Sequence, residues 1–347
     1  MTLERVERPE VFGERTDLAV DPTRAAGGPD HARLGMLDGW RAISILLVLG
    51  GHMLPLGPRS WTLNGPVAAQ GMAIFFTLSG FLIVSILMRD AHVGRFLIRR
   101  IARIVPLAWS VLAVVFAITR PGWDEVVANL LFFANLPPFY LRDTGHFWSL
   151  SVEMQFYLAV ALVVLVAGRR GLWLVPPAAL VVTALRIASG ATISIVTWLR
   201  VDEILAGGCL ALAIHRFGVA RCGIWVSRIP FPLVVSAFLL STAELIPGLD
   251  YARPYLAALM VGMTIVRPES RLNAVLESRP LRYVASISYA VYIIHPYTNQ
   301  GWLTTGSVPV KGVKRMLSFL LTFAFAHLST FRFEQPINRW AHRITAA

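Results

Sequence analysis

The stretch PVAAQGMAIFFTLSGFLIVSILM at residues 66–88 contains no charged side chain and few polar ones. An α-helix needs about 20 predominantly apolar residues to cross the hydrocarbon core of a bilayer. Lipid offers no hydrogen-bond partners to the backbone, and a helix pairs its own backbone N–H and C=O groups internally. Residues 66–88 therefore predict a transmembrane helix.

Comparable apolar runs recur along the whole chain. They lie at 39–58, 66–88, 104–119, 147–168, 171–189, 192–214, 225–243, 251–266, 283–302 and 314–333. Only 15% of the 347 residues are charged, against about 25% in an ordinary soluble domain. The sequence therefore predicts an all-α integral membrane protein, a bundle of about ten transmembrane helices.

The positions of the basic residues orient this bundle. The loop after the second run is strongly basic, so it should be cytoplasmic under the positive-inside rule. Alternation over ten spans then places both termini in the cytoplasm. We expect a flexible N-terminal tail at 1–36, a transmembrane domain at 37–336 and a C-terminal tail at 337–347. The net charge of +12 lies in short loops between apolar runs, which indicates topology rather than a nucleic-acid-binding face.

Ionisable residues inside predicted spans are costly in lipid, and so they are candidates for function. His52, Glu153 and His295 each fall in the outer half of a predicted span. An imidazole whose second nitrogen is held by a carboxylate is a good general base, and a hydroxyl acceptor needs such a base. We therefore predict that these three side chains converge in an arrangement suited to acyl transfer. The simpler alternatives are a packing role for His52 and a helix-bridging role for Glu153.

The sixth run contains a second charged group, formed by Arg200, Asp202 and Glu203, near the predicted middle of the membrane. Arg200 and Glu203 are candidates for supporting the site. A structural ion cluster is the simpler interpretation.

Arginines on the cytoplasmic side suit a phosphate-bearing donor. Arg41 precedes His52 by eleven residues, so the two lie about 16 Å apart along one helix. Arginine binds phosphate in a bidentate manner. Arg41, Arg100 and Arg103 could hold the phosphates of coenzyme A while its pantetheine arm extends towards His52. The alternative is that these arginines only anchor the helices.

Seven motifs occur in order along the chain. They are LDGWRAISILLVLGGHM at 37–53, FFTLSGFLI at 75–83, RFLIRRIARIVPL at 95–107, FWSLSVEMQFYL at 147–158, LRVDEILAGGCLA at 199–211, SISYAVYIIHP at 286–296 and FEQP at 333–336. In this order they closely resemble the acyltransferase-3 family of bacterial membrane O-acyltransferases. The resemblance covers residues 37–336.

The resemblance implies a role for each matching position. His52 resembles the catalytic histidine that follows an arginine, here Arg41, after ten residues. The basic motif, thought to engage the acyl-CoA donor, falls on Arg100 and Arg103 with Arg99 adjacent. The acidic residue of the tryptophan-serine motif falls on Glu153, and Met154 stands where the family commonly has a second glutamate. Substrate-contacting or supporting positions are Trp148, Ser151, Tyr289, Tyr292 and His295.

The function implied is transfer of an acyl group, by default acetyl, from cytoplasmic acyl-CoA to a hydroxyl, with His52 as the general base. The expected acceptor is a cell-envelope glycan or a secreted glycosylated metabolite, and the expected location is the bacterial inner membrane. Acyl-CoA, acceptor and lipid bilayer are the expected partners, with no permanently bound cofactor, no metal and no nucleic acid. The competing hypothesis is a multi-span transporter or permease without acyl transfer chemistry, and a third is a ligand sensor without catalysis.

Overall fold

The computed structural model describes residues 29–243, 245–267 and 270–346, and these ranges contain helices and no β-strand. The predicted all-α class is confirmed. The α-helices are α1 Pro29–Met53, α2 Asn64–Arg89, α3 Val93–Thr119, α4 Trp123–Leu130, α5 Trp148–Ala167, α6 Val175–Ser189, α7 Asp202–Val226, α8 Phe231–Leu240, α9 Leu249–Val266, α10 Arg271–Leu276, α11 Arg279–Ile294, α12 Val308–Leu328 and α13 Gln335–Ala346.

Five continuous helical stretches in the described ranges are long and apolar enough to cross a membrane. They are Asn64–Arg89, Val93–Thr119, Gly145–Ser189, Asp202–Val226 and Val308–Ala346. Each of the ten predicted apolar runs overlaps one of the helices α1–α3, α5–α9, α11 and α12. The count of ten spans, however, stays a prediction.

Both predicted domain boundaries fall within helices. Helix α1 begins at Pro29, so the boundary at residue 36 falls within it, whereas residues 1–28 lie outside the described ranges. Most of the predicted C-terminal tail, 337–347, belongs to α13, which packs against α3.

The sixth predicted run, 192–214, is wrong at its start, because α7 begins only at Asp202. Gly190 ends α6 in a left-handed conformation with φ +66°. The carbonyl of Thr192 then accepts hydrogen bonds from Arg186 and Arg253, at 2.7 and 3.0 Å. Side chains therefore satisfy the backbone of this loop in place of a helix, and the charged group lies at a helix N-terminus rather than at mid-helix.

Helices α2 and α7 cross in close contact because each presents a glycine to the other. A Cβ added at Gly80 would lie 1.7 Å from the carbonyl oxygen of Ile204. A Cβ added at Gly207 would lie 1.9 Å from that of Thr77. Small residues allow such approach between membrane helices. Helix α2 also packs on α1, α5 and α9, which makes this crossing central to the bundle.

Replacing Gly80 by valine is therefore expected to destabilise the protein by at least the ~1–3 kcal/mol that overpacking usually costs. The added side chain meets backbone, which cannot yield as a flexible side chain does. Thermal unfolding in detergent measures the effect. Gly65→Ala in the same helix is the matched control, since no described atom lies within 4 Å of the added Cβ. Equal stability of the two variants would contradict the close crossing.

Candidate functional site

A basic cavity of about 360 Å³ opens between α1, α3, α11 and α13. Eight arginines and three carboxylates line it among the described residues. The arginines are Arg41, Arg95, Arg99, Arg100, Arg103, Arg282, Arg339 and Arg343, and the carboxylates are Asp38, Asp90 and Glu334. All four arginines predicted to engage the donor are therefore in its wall.

The three carboxylates are already bound to other protein groups. Asp38 Oδ1 accepts a hydrogen bond from Arg41 at 2.9 Å. Asp90 lies 3.4 Å from Arg95 and accepts hydrogen bonds from His92. Burial raises the pKa of Asp90, but the bonds from His92 and the charge of Arg95 outweigh it and leave the pKa below its usual range. Glu334 accepts from Ser329 at 2.9 Å.

The other arginines of the wall have no carboxylate partner. No ion pair joins any of them to an acidic residue of the described ranges. They are Arg99, Arg100, Arg103, Arg282, Arg339 and Arg343. A concave surface with a large excess of one sign of charge, here eight arginines against three carboxylates, concentrates ions of the opposite sign. The cavity therefore suits a ligand with several negative charges.

A second and much smaller cavity of about 60 Å³, the narrow cavity, adjoins the first. The two share the lining residues Arg41, Arg100, Arg103, Ser288 and Tyr289. The remaining wall of the narrow cavity is mostly apolar and includes Ser149, Glu153 and Tyr292. A slender chain attached to an anionic group fits this succession of a wide basic cavity and a narrow one.

One face of α1 follows both cavities. Arg41 lines both, and Ser44, Ile45 and Val48 continue along the narrow one. The next position on this face is His52, one helical turn beyond Val48 and about 16 Å from Arg41. The eleven-residue separation corresponds to three turns, and so it places the arginine and the histidine on the same face.

His52 and His295 meet because α1 and α11 pack together and end at the same side of the bundle. Nδ1 of His52 lies 2.9 Å from Nε2 of His295. Nδ1 of His295 lies 2.8 Å from the carbonyl oxygen of Tyr292. That carbonyl can only accept, so Nδ1 of a neutral His295 carries the proton and its Nε2 accepts from His52. His52 then has its Nε2 free. His52 is exposed and His295 is buried.

A third histidine, His146, was missed by the sequence analysis. Its ring centre lies 5.9 Å from that of His295, and its Nε2 lies 3.1 Å from the carbonyl oxygen of Ile293. Its position immediately before the tryptophan-serine motif was the available signal.

The predicted pairing of Glu153 with a histidine is not formed. Glu153 Oε1 accepts a hydrogen bond from Ser79 Oγ at 2.5 Å and another from the hydroxyl of Tyr157. Ser79 belongs to α2, so Glu153 joins α5 to α2, as the helix-bridging alternative predicted. It also lines the narrow cavity beside Arg100 and Arg103. His295, rather than a carboxylate, holds the second nitrogen of His52.

The two serines before Glu153 point in different directions. Ser149 lies four residues before Glu153, lines the narrow cavity and is 2.5 Å from the hydroxyl of Tyr292. Ser151 donates to the carbonyl of Phe147 in its own chain segment and is absent from the described lining of either cavity. The i, i+4 spacing places Ser149 on the same helix face as Glu153, and this was the signal that could have pointed to Ser149 as a cavity residue.

The two predicted tyrosines, Tyr289 and Tyr292, both line a cavity. Tyr289 lines both and donates to the carbonyl of Ile104 at 2.5 Å. Tyr292 lines the narrow one and donates to the carbonyl of His146 at 2.6 Å.

Comparison with known proteins now identifies the family. The acyltransferase-3 model, described as an acyltransferase domain, matches residues 35–331. The chain belongs to the acyltransferase-3 family. The resemblance found in the motifs is thereby confirmed, and the apolar helices agree with an integral membrane protein.

Several curated relatives align with most of the chain. The peptidoglycan O-acetyltransferase OatA of Listeria monocytogenes is 28% identical over 87% of this chain and 55% of its own length. The putative peptidoglycan O-acetyltransferase YrhL of Bacillus subtilis is 26% identical, over 90% and 56%. The O-acetyltransferase OatA of Staphylococcus aureus is 23% identical, over 87% and 57%. The chain thus spans about half the length of these relatives. No solved structure matches it significantly.

The charged group at the start of α7 lies outside the lining of both cavities. Glu203 accepts from Arg253 Nε at 3.0 Å and lies 3.2 Å from Arg200, and all three are buried. The Arg200 guanidinium lies 5.4 Å from the centre of the Trp148 ring, at the start of α5. Asp202 pairs with Arg186 at 2.5 Å. The structural interpretation of this group is the one the contacts favour; its arginine partners Arg186 and Arg253 had not been predicted.

Proposed function

We propose that this protein is an integral membrane O-acyltransferase that transfers an acyl group, acetyl by analogy with its relatives, from acyl-CoA to a hydroxyl of a cell-envelope glycan such as peptidoglycan. Acyl-CoA is the donor substrate, and no permanently bound cofactor or metal is part of the proposal. A secreted glycosylated metabolite is the second class of acceptor that the same chemistry would serve.

One observation carries the proposal. The wide basic cavity, with its unpaired arginines, adjoins the narrow cavity along the α1 face that ends at His52. Acyl-CoA has the matching form, because its charged nucleotide is joined by a slender pantetheine arm to the thioester. Phosphates held by Arg99, Arg100 and Arg103 would direct that arm towards Tyr292 and the histidine pair.

In this proposal, His52 is the general base. Its Nε2 takes the proton of the acceptor hydroxyl, whose oxygen attacks the thioester carbonyl carbon. The carbon–sulfur bond breaks, and the departing thiolate receives the proton. His295 positions His52 and stabilises its charged form, because its Nε2 accepts from His52 Nδ1. Exposure of His52 gives the acceptor access from the side opposite the basic cavity.

Ten spans with both termini in the cytoplasm remain the topology that we propose for the inner membrane. The basic cavity would then face the cytoplasm, where acyl-CoA is made, and His52 would lie near the outer surface. Glu153 would serve the transfer indirectly, by fixing α5 against α2 beside the donor arginines.

The proposal is tested with protein purified in detergent and supplied with acetyl-CoA and soluble peptidoglycan glycan strands. We expect release of free thiol together with an acetyl ester on the glycan, measured by mass spectrometry. Glycosylated small molecules replace the strands in a parallel reaction to separate the two acceptor classes.

Thiol release without an ester on either acceptor would overturn the acceptor assignment. If no donor of any chain length is consumed by folded protein, and reconstituted vesicles show flux of a solute, the transporter hypothesis is correct instead.

A further inference from the structure

Helix α13 has three distinct faces. Trp340 and Ile344 are exposed on one of them, an apolar stripe suited to the membrane interface. Ala341 and Thr345 are buried on the second, where α13 packs against α3. The third lines the basic cavity with Gln335, Asn338, Arg339, His342 and Arg343.

The cavity face of α13 carries two arginines one turn apart. Arg339 and Arg343 are at i and i+4, so they lie side by side, about 6 Å apart along the axis. Neither forms an ion pair with a carboxylate in the described part of the chain, and both are exposed to the cavity. The arginines of α3 line the same cavity, so the two helices bring like charges to one site.

Helix α13 is held at the cavity by specific contacts. Arg99 Nε donates to Thr345 Oγ1 at 2.8 Å. A π-helical turn, Ser329–Glu334, joins α13 directly to α12, and its Thr330 and Glu334 also line the cavity. π-Helical turns are frequent at functional sites. The family match ends at residue 331, before α13 begins at Gln335.

We propose that α13 is a donor-binding element, in which Arg339 and Arg343 hold phosphate groups at the nucleotide end of the acyl donor. The inference rests on the proposed function for the identity of the donor. Arginines held near one another without an ion-paired carboxylate are stabilised by an anion that bridges them, and bidentate contacts suit phosphate. The nucleotide would then be contacted by residues 95–103 of α3 and also by α13.

The main measurement is of binding, and a second one uses the KM for a donor that lacks the nucleotide. Isothermal titration of purified protein with coenzyme A should show a Kd about 10-fold or more higher in the Arg339→Ala/Arg343→Ala variant, by the usual strength of hydrogen bonds to charged groups. S-acetylpantetheine lacks the nucleotide, so the KM for this donor should be the same in variant and wild type. Arg339→Gln/Arg343→Gln is measured alongside, and thermal unfolding establishes that each variant folds.

Arg332→Ala is the matched control, because Arg332 is exposed in the neighbouring π-helical turn and does not line the cavity. It should leave the Kd for coenzyme A unchanged. Equal Kd values for wild type and both double variants would overturn the inference and leave the proposed function standing. Wild-type protein that binds no coenzyme A would overturn both.

Anionic lipid is the other source of phosphate chemistry at this site. Nanodiscs of zwitterionic phosphatidylcholine and of phosphatidylglycerol separate the two sources. Donor binding predicts that the Kd difference between wild type and the double variant persists in phosphatidylcholine. A difference that appears only with phosphatidylglycerol would show that the arginines hold lipid headgroups and would overturn the inference.

Discussion

Replacing His52 by alanine is expected to lower kcat for acyl transfer by about 100- to 10,000-fold, the usual contribution of a general base. Of the neighbouring histidines His52, His146 and His295, only His52 is exposed. Its Nε2 is also left free by the hydrogen bonds described above. The rate of acetyl ester formation on glycan strands at saturating acetyl-CoA measures the effect. Binding of coenzyme A should be unchanged, because His52 lines neither described cavity.

His327→Ala is the matched control for this prediction. His327 lies in the last turn of α12, within 3.2 Å of the Tyr283 hydroxyl, and it lines neither cavity. Turnover by this variant should stay close to that of the wild type. A His52→Ala protein that is folded, binds coenzyme A and transfers acetyl at the normal rate would exclude His52 as the base.

Replacing Glu203 by alanine is expected to lower the free energy of unfolding by about 3–5 kcal/mol, the typical cost of leaving a buried charge without its partner. Glu203 is fully buried, and it is the shared counter-charge of Arg200 and Arg253. Denaturation of the detergent-solubilised protein, followed by circular dichroism, measures the loss.

The consequences should extend beyond the ion pairs themselves. Arg253 also donates to the carbonyl of Thr192, and Arg200 lies over Trp148 at the start of α5. The helix that carries Glu153 would therefore lose a support. Asp124→Ala serves as control, since Asp124 is exposed in α4. If Glu203→Ala were no more destabilising than this control, the group at the start of α7 would not be structural.

Much of the fold followed from patterns within single segments. Apolar runs of membrane-spanning length predict helices, because backbone in lipid must pair internally. Ten of the thirteen α-helices of the described ranges overlap such runs. The starts and ends were less predictable. Residues 192–201 were taken into a span, although the carbonyl of Thr192 accepts hydrogen bonds from Arg186 and Arg253 instead of from its own helix.

The candidate site divides in the same way. The spacing of Arg41 and His52 fixes their common face from the sequence alone, because helix geometry is local. The partner of His52 depends instead on which helices pack together. In the folded protein that partner is His295 and not Glu153. Glu153 bonds to Ser79 and Tyr157, of which only Tyr157, at i+4, could be inferred from position.

Hydropathy, charge and motif order are properties of the chain as written, and they suffice to predict a helical, membrane-embedded member of the acyltransferase-3 family. The folded protein was needed to find that six arginines line one cavity without an ion-paired carboxylate in the described part of the chain, and that the predicted C-terminal tail forms part of the cavity wall. The physical reason is that ion pairing and cavity shape depend on distances between residues far apart in the chain, and the packing of the helices sets these distances.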